Sequence, residues 1–177
     1  MEHADHVALL ARGITQGEGG LWADLGAGTG AFTLALADLI GPQGVIHAVD
    51  RDRAALGELR GAFVSAVPQA ELRVRVADFT RRLDLADLDG VVMANALHFV
   101  EDKLPVLALV RGYLKPGGRL ILVEYDSDRG NDWVPHPVTF ESWQRVATEA
   151  GFIDTRRLAS VPSRFLRRIY SALSLAP

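Results

Sequence analysis

The sequence predicts an α/β protein: one domain over 1–177, built on a mostly parallel seven-stranded sheet with helices on both faces and a C-terminal antiparallel hairpin. Three observations carry this. Short apolar runs at 21–25, 45–50, 71–76, 90–95 and 119–125 alternate with helical stretches, the pattern of a parallel sheet covered by helices. A glycine-rich turn, Asp24-Leu25-Gly26-Ala27-Gly28-Thr29-Gly30, joins the first run to a strongly apolar helix. The tail holds two β-leaning runs, 153–161 and 165–175, split by Pro162-Ser163, which suggests a hairpin.

Taken in order, Val7, Leu10, Ala11 and Ile14 space a short amphipathic helix over 7–14, and a polar linker runs to residue 20. After the glycine turn, 31–40 is apolar almost all round, as a helix buried against a sheet should be. Asp52 can cap a helix over 53–66, which Pro68 stops. Residues 71–76 alternate charged with apolar side chains and fit a sheet edge, and 80–88 reads as one loose helical turn. A helix is expected over 101–114, with acids and Pro105 at its start, and Lys115-Pro116-Gly117-Gly118 turns the chain into the fifth strand. A polar loop, 126–138, precedes a helix that Thr139 caps and Gly151 ends. The division is a helix and linker over 1–20, a core over 21–125, and the loop, helix and hairpin over 126–177.

Net charge is −3 and no large basic excess exists, so no global field draws the chain onto nucleic acid or an anionic membrane. The chain has no cysteine, which excludes disulfides and thiolate chemistry and fits a reducing cytoplasm. Its start lacks a basic region followed by a long apolar core, so no signal peptide is expected, and no apolar run reaches the ~18 residues of a membrane span.

Ligands of such sheets bind beyond the carboxyl ends of the strands. Four of these ends carry polar residues: Asp24 with the glycine turn, Asp50, Asp78 and Asn95. Asp50 follows Gly30 by twenty residues, the spacing of an acid that accepts from ribose hydroxyls. Asp78 can accept from an adenine amine with Phe79 against the ring. Asp50 also suits a helix cap and Asp78 a turn cap. An acid two residues before the first glycine is awkward beside a pyrophosphate and suits a cationic ligand.

These motifs, with Met93-Ala94-Asn95-Ala96-Leu97-His98 and the Lys-Pro-Gly-Gly turn before the fifth strand, resemble the class I S-adenosylmethionine-dependent methyltransferases. The likeness covers 21–125 and implies a Rossmann-like fold, S-adenosyl-L-methionine as cofactor and methyl transfer as the activity. It implies that Gly26, Ala27, Gly28 and Gly30 hold the methionine portion, with Asp24 near its amino group. Asp50 would bind the ribose, Arg51 would lie along the adenosine, and Asp78 and Phe79 would meet the adenine. Asn95 and Ala96 would border the sulfonium through their carbonyls. An NAD oxidoreductase fits less well, because of Asp24, Gly30 and the hairpin.

The acceptor is expected to be a small molecule, since the Asn/Asp-Pro-Pro-aromatic motif of base and glutamine methyltransferases is absent. RNA is the alternative the arginine pairs Arg81-Arg82, Arg156-Arg157 and the group Arg164, Arg167, Arg168 raise; a cofactor-binding subunit serving a partner protein is another. Candidate catalytic groups are His98, Tyr125 and His136, with the acceptor between His98, Tyr125 and the 126–138 loop and Trp133 as its wall. Asp126, Asp128, Asp132 and His136 have no diagnostic metal spacing, and no metal is expected. Many relatives carry a longer N-terminal lid. Here the first helix with the 126–138 loop would cover the site, or a partner subunit such as a second copy in a homodimer, or the site would stay open to a large substrate.

Overall fold

Seven strands make one sheet in the computed structural model, which describes residues 1–66, 68–163 and 166–177. They are β1 (Gly20–Leu25), β2 (Gly44–Asp50), β3 (Glu71–Val76), β4 (Leu88–Ala94), β5 (Leu114–Tyr125), β6 (Ile153–Ser163) and β7 (Arg167–Leu175), in the order β3-β2-β1-β4-β5-β7-β6. The first five run parallel, and β7 is antiparallel to both β5 and β6. The predicted hairpin is therefore present, but Pro162 and Ser163, expected to split its runs, are paired within β6; Arg164, and Phe165 at the head of the second run, lie outside the described residues.

Alternate residues of the central strands feed two cores. Trp22, Val92 and Ile121 meet Leu9, Leu36 and Leu56 from α1 (His3–Leu10), α2 (Ala31–Ile40) and α3 (Arg53–Ala66). Their neighbours Ala23, Val91 and Leu122 meet Leu107 and Trp143 from α4 (Leu104–Tyr113) and α5 (Phe140–Glu149). The period of two along each strand thus buries both faces, each fully enclosed Leu or Ile contributing about 1.5–3 kcal/mol. Strand β1 sits between β2 and β4, so the order reverses there. The connections leaving β1 and β4 diverge, and a crevice opens at their carboxyl ends.

Four boundaries differ from the sequence expectation. Helix α1 starts at His3, because the Glu2 N–H donates to the Asp5 carboxylate at 3.0 Å and caps a turn that apolar spacing does not mark. Helix α4 starts at Leu104, with Pro105 in its first turn and Asp102 accepting from the Leu104 N–H at 3.2 Å; residues 97–99 form a separate short 3₁₀ turn. Residues 80–87 hold turns and bends without a helix. The Lys-Pro-Gly-Gly stretch belongs to β5, where Gly117 at φ 74° bends the strand and the β4–β5 register shifts.

Candidate active site

The glycine turn hangs from the end of β2. The Gly26 and Ala27 N–H groups both donate to the Val49 carbonyl, at 2.8 and 3.1 Å. Gly26, Gly28 and Gly30 adopt φ of 84°, 52° and 95°, the left-handed region that favours glycine. A Cβ on Gly26 would strike Ala96, whereas one on Gly28 would meet nothing within 4 Å and faces open crevice. Gly30 differs from the reading that grouped it with ligand-holding glycines. It lines no part of the crevice, and its missing Cβ admits the Leu59 side chain, whose Cγ would lie 2.6 Å away. Its requirement comes from α2–α3 packing.

Asp24 is 1% exposed at the end of β1. Thr33 donates to its Oδ2 at 2.6 Å, and its Oδ1 is buried with no partner. Burial raises its pKa from 3.8 to about 6, against the Thr33 hydrogen bond. Asp50 ties the crevice together: Oδ2 accepts from the Gly28 N–H at 2.9 Å and Oδ1 from the Asp52 N–H at 2.8 Å. Each oxygen keeps a lone pair for a further donor. Asp78 accepts from both the N–H and hydroxyl of Thr80, at 2.9 and 2.7 Å, through Oδ1 alone. Those bonds, the hydroxyl's first, hold its pKa below the usual value. The turn-cap reading of Asp78 is thus realised, and Oδ2 remains for a ligand.

Three cavities meet at Asn95. One, of about 400 Å³, is lined by Asp50, Arg51, Asp78, Phe79 and Ala96, with Gly26 and Gly28 beneath it. A second, of about 270 Å³, holds Asp24, Ala27, Phe32 and His6. The third, about 540 Å³, lies between Tyr125, the first residues of α1 and its approach, and Pro162, Ser163 and Ile169 of the hairpin. Asn95 borders all three at φ 51°, its Oδ1 buried without a partner and its N–H bonded to the Val123 carbonyl at 2.9 Å. A left-handed non-glycine residue at this junction stores strain of about 1–3 kcal/mol, a cost common at ligand sites.

The acceptor-side candidates separate. Tyr125 lines the third cavity, and burial, then the Glu124 charge, raises its hydroxyl's pKa and keeps it a donor. His98 is 3% exposed and lines none of these three cavities; its ring lies 5.9 Å from that of Tyr125. Its Nδ1 sits on both oxygens of Glu124, at 2.9 and 3.0 Å, and Glu124 is fully buried. The Glu124 Oε1 also accepts from the Tyr125 N–H at 2.7 Å. His136 lines none of the three cavities. It donates its N–H to the His98 carbonyl at 2.9 Å and gives its own carbonyl to the Lys103 ammonium, at 2.9 Å. Trp133 is 77% exposed and lines none of the three cavities, and its backbone N–H is held by the Asn131 Oδ1 at 2.9 Å. Asp128 accepts from the Thr139 N–H and the Ser142 hydroxyl, and Asp126 from the Phe140 N–H, so these acids cap α5. Among the described residues no group of three or more His, Asp or Glu is arranged to hold a metal.

Glu124 was missed from the sequence. Its signal was present as a lone carboxylate closing an apolar strand, just before Tyr125. His6 and Phe99, both lining the crevice, carried no such signal.

The methyltransferase-domain family matches residues 23–120. The chain belongs to that family. It carries a methyltransferase domain, set in the mixed seven-stranded sheet with the terminal hairpin already described. Over 116 residues the chain is 28% identical to the squalestatin tetraketide synthase of Phoma sp., covering 59% of this chain and 4% of that one. Its fold is similar to that of an arsenic(III) S-adenosylmethionine methyltransferase from Chlamydomonas reinhardtii, at 21% identity and a TM-score of 0.73, over 92% of this chain and 65% of that one. It is also similar to the CurJ carbon methyltransferase, at 21% identity and 0.72, over 90% and 49%. The chain thus spans less than two thirds of each.

The methyltransferase's own residues fit the cofactor that the family implies. The partnerless Asp24 Oδ1 suits an ammonium, the open side of Gly28 admits close approach, and Asp50 has acceptor capacity for ribose hydroxyls. Phe79 and Ala96 supply apolar surface that would suit an adenine, in a cavity large enough for a nucleoside.

Proposed function

We propose that this methyltransferase moves a methyl group from S-adenosylmethionine to a small carbon acid, a molecule whose nucleophilic carbon first loses a proton. The observation that carries this reading is the buried His98–Glu124 pair beside the crevice. An ionised carboxylate only accepts, so the shared proton belongs on Nδ1 and the Nε2 lone pair is left to act as a base. Such a base is needed only for a nucleophile that starts protonated, which argues against sulfides and neutral amines. The partial likeness to a tetraketide synthase favours a carbon acceptor, whereas the similar folds include carbon and O-methyltransferases alike.

In this reading the acceptor enters the cavity between Tyr125, Ile169 and the start of α1, and its reacting carbon faces Asn95. Tyr125 offers a hydroxyl donor to a carbonyl as negative charge moves onto it. His98, outside the cavity lining with its ring 5.9 Å from that of Tyr125, takes the proton through one bridging water, and Glu124 stabilises the imidazolium that results. When bound, the cofactor would supply an activated methyl: the carbon's electron pair would form the new C–C bond and the methyl–sulfur pair would leave with the sulfur. Most of the remaining barrier is lowered by holding donor and acceptor in one crevice.

The test uses a β-ketothioester with S-adenosylmethionine, read by mass spectrometry as gain of one methyl. His98→Ala and Glu124→Gln should slow transfer by about 10²–10⁴-fold while cofactor affinity stays within about threefold. Transfer at the native rate in His98→Ala, or transfer only to acceptors without an acidic proton, would refute the proposed role.

A further inference from the structure

The methionine-side cavity has two ionisable side chains in its lining, Asp24 from the sheet and His6 from α1. Asp24 presents a buried oxygen without a partner. His6 is half-buried, its ring set edge-on to Phe32 with centroids 4.7 Å apart. Helix α1 is fixed in place by the buried Leu9 and Leu10 and by His3, whose Nε2 lies 2.7 Å from the Asp38 carboxylate on α2. The His6 ring nitrogens form no hydrogen bond among the described residues.

An amino-acid head group carries an ammonium and a carboxylate on one carbon. Asp24 suits the first and repels the second. The N–H groups of Gly26, Ala27, Gly28 and Gly30 are already given to Val49, Asp50 and Ala27, which leaves Thr29 and Ala31 as the turn's other backbone donors in the lining. Beside the α-amino group of Met1, His6 is the one side chain in the lining that can carry positive charge. Resting on the reading that this crevice takes S-adenosylmethionine, we infer that His6 binds the cofactor's carboxylate, opposite Asp24, and makes α1 part of the binding site. Burial lowers the pKa of His6, so the free ring is neutral and offers one N–H donor, and a carboxylate beside it favours the protonated form.

Calorimetry on the full chain with S-adenosylhomocysteine and its decarboxylated amine analogue tests this. The native protein should prefer the carboxylate-bearing ligand by about tenfold or more, the scale of a hydrogen bond to a charged group. His6→Phe keeps a ring against Phe32 but has no donor, and should bind the two ligands about equally by weakening only the first. His6→Gln, which keeps a donor, should retain part of the preference and serves if the Phe variant melts early. A native ligand ratio in both variants, or equal loss for both ligands, would overturn the role of His6. Failure of the native protein to bind either ligand would instead overturn the cofactor reading, and this inference with it.

Discussion

Asp24 shows how one side chain can serve binding at the expense of stability. It sits 1% exposed at the end of β1 with a single hydrogen bond, and burial raises its pKa from 3.8 to about 6. The folded protein therefore holds this proton more tightly than the unfolded chain. Stability from this group is fullest below about pH 4 and falls as pH rises to about 6, leaving a cost on the order of 2–3 kcal/mol at pH 7. Asp24→Asn should remove that slope and raise the melting temperature at pH 7, while cofactor affinity collapses. In the native protein an ammonium beside Asp24 favours its ionised form, so affinity should fall as pH drops through about 6. A variant that melts no later and binds as tightly would mean that Asp24 faces no cation. At this scale the sequence revealed strand-end acids but not their partners. The Thr80 bonds to Asp78 and the Leu59 side chain over Gly30 depend on where a turn or a distant helix lands, which local spacing does not encode.

At the scale of elements, the 126–138 loop and α1 exchange the roles the sequence suggested. Loop length pointed to an acceptor wall, yet Asp126, Asp128 and Asn131 bind the loop to α5 and to itself, leaving Trp133 77% exposed. Surface substitutions of this kind usually cost within about 0.5 kcal/mol, so Trp133→Ala should leave transfer and cofactor affinity within about twofold. A loss beyond tenfold in a transfer assay would restore the loop as the acceptor wall. Helix α1 and the residues before it line two of the three cavities instead. Its early start rests on the Glu2–Asp5 cap, and its site role on residues that approach Pro162 and Ile169 from more than a hundred positions away. No periodicity links those stretches, whereas the strands and helices α2, α3 and α5 were legible because their apolar spacing matches the faces they bury.

At the scale of the whole molecule, the order β3-β2-β1-β4-β5-β7-β6 explains why one crevice gathers the strand-end groups Asp24, Asp50, Asp78 and Asn95. Parallel strands on both sides of β1 send their carboxyl ends, and so Asp24, Asp50 and Asn95, to one edge of the sheet. The edge position of β3 was legible in the alternation Glu71, Arg73, Arg75, and the hairpin in its two runs. Which wall of the crevice takes the acceptor was not legible, because it is made by tertiary closure and not by any motif. Among the described residues no helix is long and apolar enough to cross a membrane. The central claim is that this crevice binds S-adenosylmethionine and its demethylated product in preference to a dinucleotide. Calorimetry with S-adenosylhomocysteine and with NAD tests it most directly. The expected result is a dissociation constant on the order of micromolar for the first and no measurable binding of the second; tighter binding of NAD would contradict it.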